Sequence, residues 1–86
     1  MRTDMTFTPR NMIVITGAGA YPRLVVEGAH AAGVARVDVL AVRGSTERAT
    51  CRAADHVHTI GIGEIASGLR WVAAQGYEGA VFAGQI

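Results

Sequence analysis

Residues 11–22 read NMIVITGAGAYP, and this stretch decides the fold. Its apolar, β-branched first half is typical of a buried strand. The strand ends at Gly17 and Gly19, which can adopt positive φ and let a ligand approach the backbone. Pro22 suits the first turn of a helix. The stretch therefore predicts a strand, a tight loop and a helix whose free N–H groups point back at the loop.

A loop of this kind predicts an anion site. The N–H groups of the first helical turn and the positive end of the helix dipole both attract negative charge. The loop departs from the dinucleotide-binding fingerprint G-x-G-x-x-G, because Pro22 replaces the third glycine. A connection that joins the two elements and binds nothing stays open as an alternative. The candidate binding residues of the loop are Gly17, Ala18, Gly19, Ala20 and Tyr21.

The composition indicates one small globular domain. The chain has 86 residues, of which 50% are hydrophobic and 17% charged, and its net charge is +1. So small a charge provides no basic field, and we expect no nucleic-acid partner. No apolar run approaches the roughly 20 residues that span a bilayer, so we expect no transmembrane segment. The single cysteine, Cys51, agrees with a reducing compartment, and we expect a cytoplasmic protein.

Apolar segments alternate regularly with helical patterns along the chain. Strands are predicted at residues 11–16, 36–42, 56–60 and 79–83, and helices at residues 22–32, 46–54 and 64–75. This rhythm predicts a Rossmann-like three-layer α/β/α domain with a four-stranded parallel sheet in the order 3-2-1-4. Residues 1–10 lack periodicity and predict a flexible leader, so that the domain spans residues 11–86.

Helical spacing also predicts which side chains face the sheet. In the third helix these are Ile65, Leu69 and Val72. Ser45 or Thr46 is a candidate cap for the second helix. Asp38 interrupts the apolar second strand, where a paired or solvated carboxylate is the simplest interpretation. The first helix is expected to bury Leu24, Val25, Gly28, Ala29 and Ala32.

The loops that follow the four strands should lie together at the carboxyl edge of the sheet, where open α/β folds bind ligands. Arg43 follows the second strand, where an NAD site would favour an acidic residue. A guanidinium at this place can hold a pyrophosphate or an NADP 2′-phosphate bidentately, or it can be a solvated charge. The binding candidates beyond the glycine loop are Arg43, Gly61, Gly63, Gly84 and Gln85.

Catalytic and metal-binding groups are not evident in the sequence. Cys51, His56 and His58 lack a recognised zinc spacing, so we predict no metal site and a water-exposed histidine pair on an outer strand. For Trp71, packing within the domain is favoured over a role in an interface with another chain. The carboxyl-edge loops offer Glu64 as their carboxylate, and no nucleophile has a base partner, so we predict no catalytic residues.

Four segments occur in an order and spacing that resemble a known family. They are GAGAYP at residues 17–22, AVRG at 41–44, IGEI at 62–65 and FAGQI at 82–86. Together they are similar to the N-terminal domain of the LpxI-type UDP-2,3-diacylglucosamine pyrophosphatases, over residues 11–86. The resemblance implies a cytoplasmic enzyme of lipid A biosynthesis that hydrolyses the pyrophosphate of UDP-2,3-diacylglucosamine to lipid X and UMP.

The resemblance further implies a division of labour. Such proteins carry their catalytic acidic residues in a second, C-terminal domain, and Mg²⁺ or Mn²⁺ is expected only with that domain. The implied partner is a UDP-sugar lipid or another phosphate-bearing small molecule, bound between the two domains. In this sequence Ala66 and Ser67 stand where many members have Gly-Lys, and Gln85 stands where a basic residue is common.

Three functional classes therefore stay open from the sequence. The first is the nucleotide-facing domain of such a pyrophosphatase, incomplete as a catalyst by itself. The second is a non-catalytic interaction module, and the third is an NADP-type dinucleotide-binding domain. We also expect a possible homodimer, because an outer strand with apolar residues tends to find a partner.

Overall fold

The structure is a computed structural model, and it describes residues 8–84. Four strands alternate with three helices, and a short 3-10 helix at Ile62–Glu64 precedes the last of them. The strands are β1 (Asn11–Thr16), β2 (Arg36–Val42), β3 (His56–Ile60) and β4 (Gly79–Ala83). The helices are α1 (Tyr21–Ala31), α2 (Arg48–Ala53) and α3 (Ile65–Ala74).

The strands form one parallel sheet in the order β3-β2-β1-β4. The predicted order and the predicted strand boundaries are both confirmed. The register pairs Ile13 with Asp38 on one side and with Ala80 on the other. Since parallel partners point their side chains to the same face, this register fixes which residues share each side of the sheet.

Two apolar clusters cover the two faces and give the three layers. One cluster joins Val14, Val37 and Val39 to Val26 of α1, with Cys51 of α2 packed against it. The other joins Ile13, Ile15 and Leu40 to Val72 of α3. Helices α1 and α2 therefore lie on one face and α3 on the other. Ile65 and Leu69 pack against the α3-side cluster beside Val72, as their spacing predicts.

The buried side of α1 differs from the prediction. Pro22 and Val26 are its buried residues, whereas Leu24 is 55% exposed. Leu24 follows Pro22 by two positions, which is about 200° around a helix, so both cannot face the sheet. Val25 and Ala29 pack against the cluster as predicted. The predicted stripe was therefore wrong at Leu24, Gly28 and Ala32, which are all exposed, and it omitted Val26.

Packing contacts extend before Asn11. The Arg10 side chain donates hydrogen bonds to the Glu78 carboxylate at 2.7 and 3.0 Å. The Arg36 N–H donates to the Arg10 carbonyl at 3.1 Å. The final part of the predicted leader, at Arg10, thus contacts the domain, while residues 1–7 lie outside the described part of the chain. Across residues 8–84, no helix is long and apolar enough to cross a membrane.

Candidate functional site

The loops that follow β1 and β4 face one another at the carboxyl edge of the sheet. The winding direction of the chain reverses here, because β1 lies between β2 and β4. An open pocket of about 640 Å³ is lined by residues of both loops. Five predicted binding residues, namely residues 18–21 and Gly84, share it. Its full lining is Ala18, Gly19, Ala20, Tyr21, Phe82, Ala83 and Gly84.

The two loops are in direct backbone contact. The N–H of Gly17 donates to the Ala83 carbonyl at 3.1 Å, so this amide is used within the protein. Gly84 has φ +91°, and a Cβ on it would lie 2.8 Å from the Ala18 carbonyl oxygen and 2.9 Å from Pro22 Cγ. A side chain at residue 84 would therefore displace the glycine loop. Close packing of the two loops therefore requires glycine at position 84.

Gly19, and not Gly17, supplies the positive backbone angle of the glycine loop. Its φ is +97°, while Gly17 is not among the residues with positive φ. A Cβ on Gly19 would meet nothing within 4 Å, so the space beside it is open. Both glycines were predicted to be able to take this conformation, and one of them does.

The N-terminus of α1 opens on the same pocket. Its N-cap residue, Ala20, makes no side-chain cap, and the first turn contains no acidic residue. The first N–H groups of a helix have no intrahelical acceptor, and Pro22 has no N–H to offer. The donors of this turn are therefore left to a ligand or to water, next to the positive end of the helix dipole.

Two exposed aromatic rings form the walls of the pocket. Tyr21 is 62% exposed and Phe82 is 66% exposed, and both line it. The sequence predicts a pocket bounded by Tyr21 and Arg43, but Arg43 does not line this pocket, whereas Phe82 does. The sequence does contain a signal for the exposure of Phe82. This residue lies on β4, which pairs with β1 on one side and has no neighbouring strand on its other side within the described residues.

Arg43 lies at the neighbouring pair of loops. It is exposed, and its Nη1 atom lies 3.3 Å from the position that a Cβ on Gly61 would occupy. The Glu64 carboxylate accepts a hydrogen bond from the Gly61 N–H at 2.6 Å, which holds the turn before α3. Gly63 lies in the 3-10 helix with open space beside it. Arg43, Gly61 and Gly63 therefore form a second group of predicted binding residues. The remaining candidate, Gln85, lies outside the described residues.

Two threonine hydroxyls fix the loop after β2. Thr46 Oγ1 accepts from the Val42 N–H at 2.9 Å and lies 2.8 Å from Thr16 Oγ1. Thr16 in turn donates to the Leu40 carbonyl at 3.2 Å and is fully buried. Neither Ser45 nor Thr46 caps α2, whose N-cap is Glu47, so that prediction was wrong. The hydroxyl of Thr46 is used by the turn instead.

Comparison with protein families matches residues 11–86 to the LpxI N-terminal domain. The chain belongs to this family. Membership implies a role in the LpxI pyrophosphatase of lipid A biosynthesis. A search of curated proteins and a search of solved structures found no significant match. The match includes all four strands and the glycine loop, so the pocket is part of the LpxI domain itself.

This LpxI domain also contains a buried charged cluster that sequence analysis did not recognise as a unit. Asp38 lies on the α3 side of the sheet, with its side chain only 3% exposed. Arg36 donates to it at 2.8 to 3.1 Å, and the Tyr77 hydroxyl at 2.5 Å. His56 Nδ1 lies 3.3 Å from Asp38 Oδ1. Sequence analysis left a paired or a solvated carboxylate open at Asp38. The structure shows the paired one, and the burial and the three partners were missed.

The surroundings change the acidity of this cluster. Burial alone would raise the pKa of the Asp38 carboxyl, but the hydrogen bonds from Arg36 and Tyr77 outweigh it and hold that pKa below its usual range. Burial, together with the hydrogen bond to Asp38, raises the pKa of Tyr77 to about 12. Asp38 is therefore an anion and Tyr77 a neutral donor at physiological pH.

The predicted histidine pair lies beside this cluster on β3. His56 and His58 are both exposed, as expected for an outer strand, and His58 stacks on Trp71 with ring centres 4.0 Å apart. Trp71 packs against the α3-side cluster of the LpxI domain. Within residues 8–84, no group of three His, Cys, Asp or Glu side chains is arranged to hold a metal ion.

Proposed function

We propose that this domain is the nucleotide- and phosphate-facing part of a cytoplasmic LpxI pyrophosphatase, and that the glycine loop holds the pyrophosphate of UDP-2,3-diacylglucosamine. One observation carries the proposal. The uncapped N-terminus of α1, the open space beside Gly19 and the close approach of Gly84 meet in a single pocket at the switch point of the sheet. This is the place where open α/β sheets bind ligands.

The chemistry of the pocket suits a phosphate group. Oxygens of the ligand would accept hydrogen bonds from the N–H groups of the first turn of α1, and the helix dipole would favour their charge. Tyr21 and Phe82 offer flat apolar walls for a neighbouring ring or chain. Arg43, at the next loop along the edge, offers a bidentate contact to a second phosphate.

Hydrolysis itself belongs to other residues in this proposal. Mg²⁺ and Mn²⁺ bind through carboxylates and water, and the described residues do not fit such a site. Glu64, the carboxylate predicted at this edge, is engaged with the Gly61 N–H. The domain therefore binds and orients the substrate, and the bond is cleaved by acidic residues of the C-terminal domain that the family implies.

A titration with UDP, UMP and NADP, followed by NMR of the backbone amides, tests the proposal. We expect uridine nucleotides to shift the amides of residues 18–21 and 82–84 at lower concentrations than NADP does. Stronger shifts with NADP would support a dinucleotide-binding domain instead. The lack of any response to all three ligands would contradict nucleotide binding and favour a non-catalytic interaction module.

A further inference from the structure

The buried carboxylate of Asp38 costs folding free energy, because it lies in a strand that is otherwise apolar after Arg36. All residues of β2 after Arg36 are buried, and Asp38 is the charged residue among them. Removing a carboxylate from water is expensive unless several donors replace the water. Strongly perturbed groups beside a cavity are candidates for functional sites, although structural networks perturb them as well.

The partners of Asp38 direct their remaining donors outward. Arg36 contacts Asp38 through Nε and Nη2, so its Nη1 group donates no hydrogen bond within residues 8–84. His56 donates its Nδ1–H to Asp38, and in the protonated ring Nε2–H is a second donor that Asp38 does not use. The side chains of Arg36 and His56 are 51% and 67% exposed. Asp38 thus fixes the orientation of the guanidinium and, when His56 is protonated, of an imidazolium donor.

A cavity of about 180 Å³ lies beside these donors. Ile13 and Val39 contribute apolar lining, and the stacked rings of His58 and Trp71 contribute a flat wall. The cavity lies near the amino ends of β2 and β3, since Asp38 pairs with His56 in the register. The glycine loop follows the carboxyl end of β1. None of the residues lining this cavity lines the pocket at the glycine loop.

We propose that this cavity is a second binding site, which holds a small oxyanion, a phosphate or carboxylate group, between the guanidinium of Arg36 and the protonated imidazole of His56. The guanidinium offers two parallel N–H donors, which match the geometry of such a group. The charge of Asp38 opposes this binding little, because Arg36 neutralises it and Tyr77 and His56 occupy its oxygens.

A cation is the less suitable occupant of the cavity. The two oxygens of Asp38 already contact Arg36, Tyr77 and His56, so they have little capacity left to coordinate a metal. In the neutral ring, Nε2 of His56 would be a single ligand, and within residues 8–84 no group of three such side chains could hold a metal ion. The guanidinium of Arg36 and the protonated imidazole are donors, which require an acceptor. The volume of the cavity suits a single oxyanion group with a small substituent that lies against Trp71.

Fluorescence of Trp71 tests this site directly, because the chain has one tryptophan and it lines the cavity. Sodium phosphate and sodium acetate are titrated separately at pH 6, because acid favours a protonated imidazole, with sodium chloride at matched ionic strength as the reference. We expect a saturable change with at least one oxyanion and none with chloride. Tighter binding of phosphate would indicate a phosphate-bearing ligand, and tighter binding of acetate a carboxylate. A response equal to that of chloride would overturn the proposal.

Variants at the two donors complete the test. Arg36→Lys keeps the charge but loses the planar pair of donors, and His56→Ala removes an exposed ring. Each should weaken binding about tenfold. The matched controls are Arg23→Gln and His30→Ala, which break the Arg23–Glu27 and His30–Asp55 pairs outside the cavity. These should bind like the wild type.

Two outcomes separate this site from the glycine loop and from a purely structural cluster. Gly19→Val should leave the Trp71 response unchanged, and its loss in that variant would overturn the second site. Because Arg36→Lys could disturb the pairing of Asp38, circular dichroism checks its fold, and His56→Ala decides the question if the fold is altered. Unchanged affinity in His56→Ala would contradict the role of that side chain.

Discussion

A Cβ atom on Gly84 would lie 2.8 Å from the carbonyl oxygen of Ala18, which is closer than a carbon and an oxygen approach without displacement. The residue that follows β4 therefore packs directly on the loop that follows β1. The hydrogen bond from the Gly17 N–H to the Ala83 carbonyl joins the same two segments. The shape of the glycine loop thus depends on the end of β4 as well as on its own glycines.

Replacement of Gly84 by alanine tests this packing. We expect Gly84→Ala to lower the free energy of unfolding by about 2 to 3 kcal/mol, because positive φ and a steric clash both oppose the new methyl group. Gly33→Ala is the matched control, since Gly33 has φ +99° but open space around its Cβ position. It should cost only about 1 kcal/mol. Equal urea-unfolding midpoints for the two variants would show that the contact with Ala18 carries no cost.

The charged cluster predicts a pH-dependent stability. The pKa of Asp38 is lowered in the folded protein, so its contribution is fully present above the unfolded value of about 4 and is lost as the pH falls through the lower folded pKa. We expect Asp38→Asn to lower the free energy of unfolding by about 2 kcal/mol at pH 7. Urea unfolding at pH 7, 5 and 3 should show this difference shrinking at the lowest pH. A difference that is constant with pH would refute the role of the charge.

Hydrolytic activity is expected to be absent from the 86-residue chain. We expect no turnover of UDP-2,3-diacylglucosamine with Mg²⁺ or Mn²⁺, because in the proposed function the catalytic acidic residues belong to a C-terminal domain. Release of UMP, followed by chromatography, measures this. Turnover that disappears in the Gly19→Val variant would contradict the expectation, and it would require an active site assembled from these residues or across two copies.

Self-association is expected through the outer side of the sheet. Strand β4 is an outer strand of the described sheet, and its Phe82 is 66% exposed. Outer strands with apolar side chains favour pairing, and two-fold dimers are the commonest oligomers. Light scattering over a concentration series should show a dimer that Phe82→Lys weakens. A monomer mass at every concentration would exclude it, and a dimer that depends on Trp71 instead would place the interface at α3.

The sheet could be predicted from the sequence because its determinants are local. Strands β1, β2 and β4 are short, mainly apolar segments, whereas β3 reads HVHTI and is marked by its β-branched residues. Each strand is followed by glycine or by a helical pattern, so the boundaries and the order 3-2-1-4 both follow from them. The buried side of α1 is not determined locally in the same way. Leu24 and Val26 are both apolar, so the sequence does not distinguish them, and in the structure Pro22 and Val26 are the buried residues of the helix.

The lining of the two cavities could be predicted only in part. Residues 18–21 and Gly84 meet because parallel strands end at one edge, which the order of elements implies. Phe82 was missed because its exposure depends on whether another segment packs against the outer side of β4. The partners of Asp38 come from three separate segments, at Arg36, His56 and Tyr77, and only the register and the turn before β4 bring them together.

The binding of uridine nucleotides by Gly19→Val and Gly33→Val variants tests the central claim most directly. The two glycines have nearly equal positive φ and open space at their Cβ positions, so valine should strain both backbones similarly. Only Gly19 lies in the proposed phosphate site. Calorimetric titration with UDP should show binding to the wild type and to Gly33→Val, and loss of binding in a folded Gly19→Val. Equal affinity of all three proteins for UDP would contradict the assignment of the glycine loop as the phosphate site.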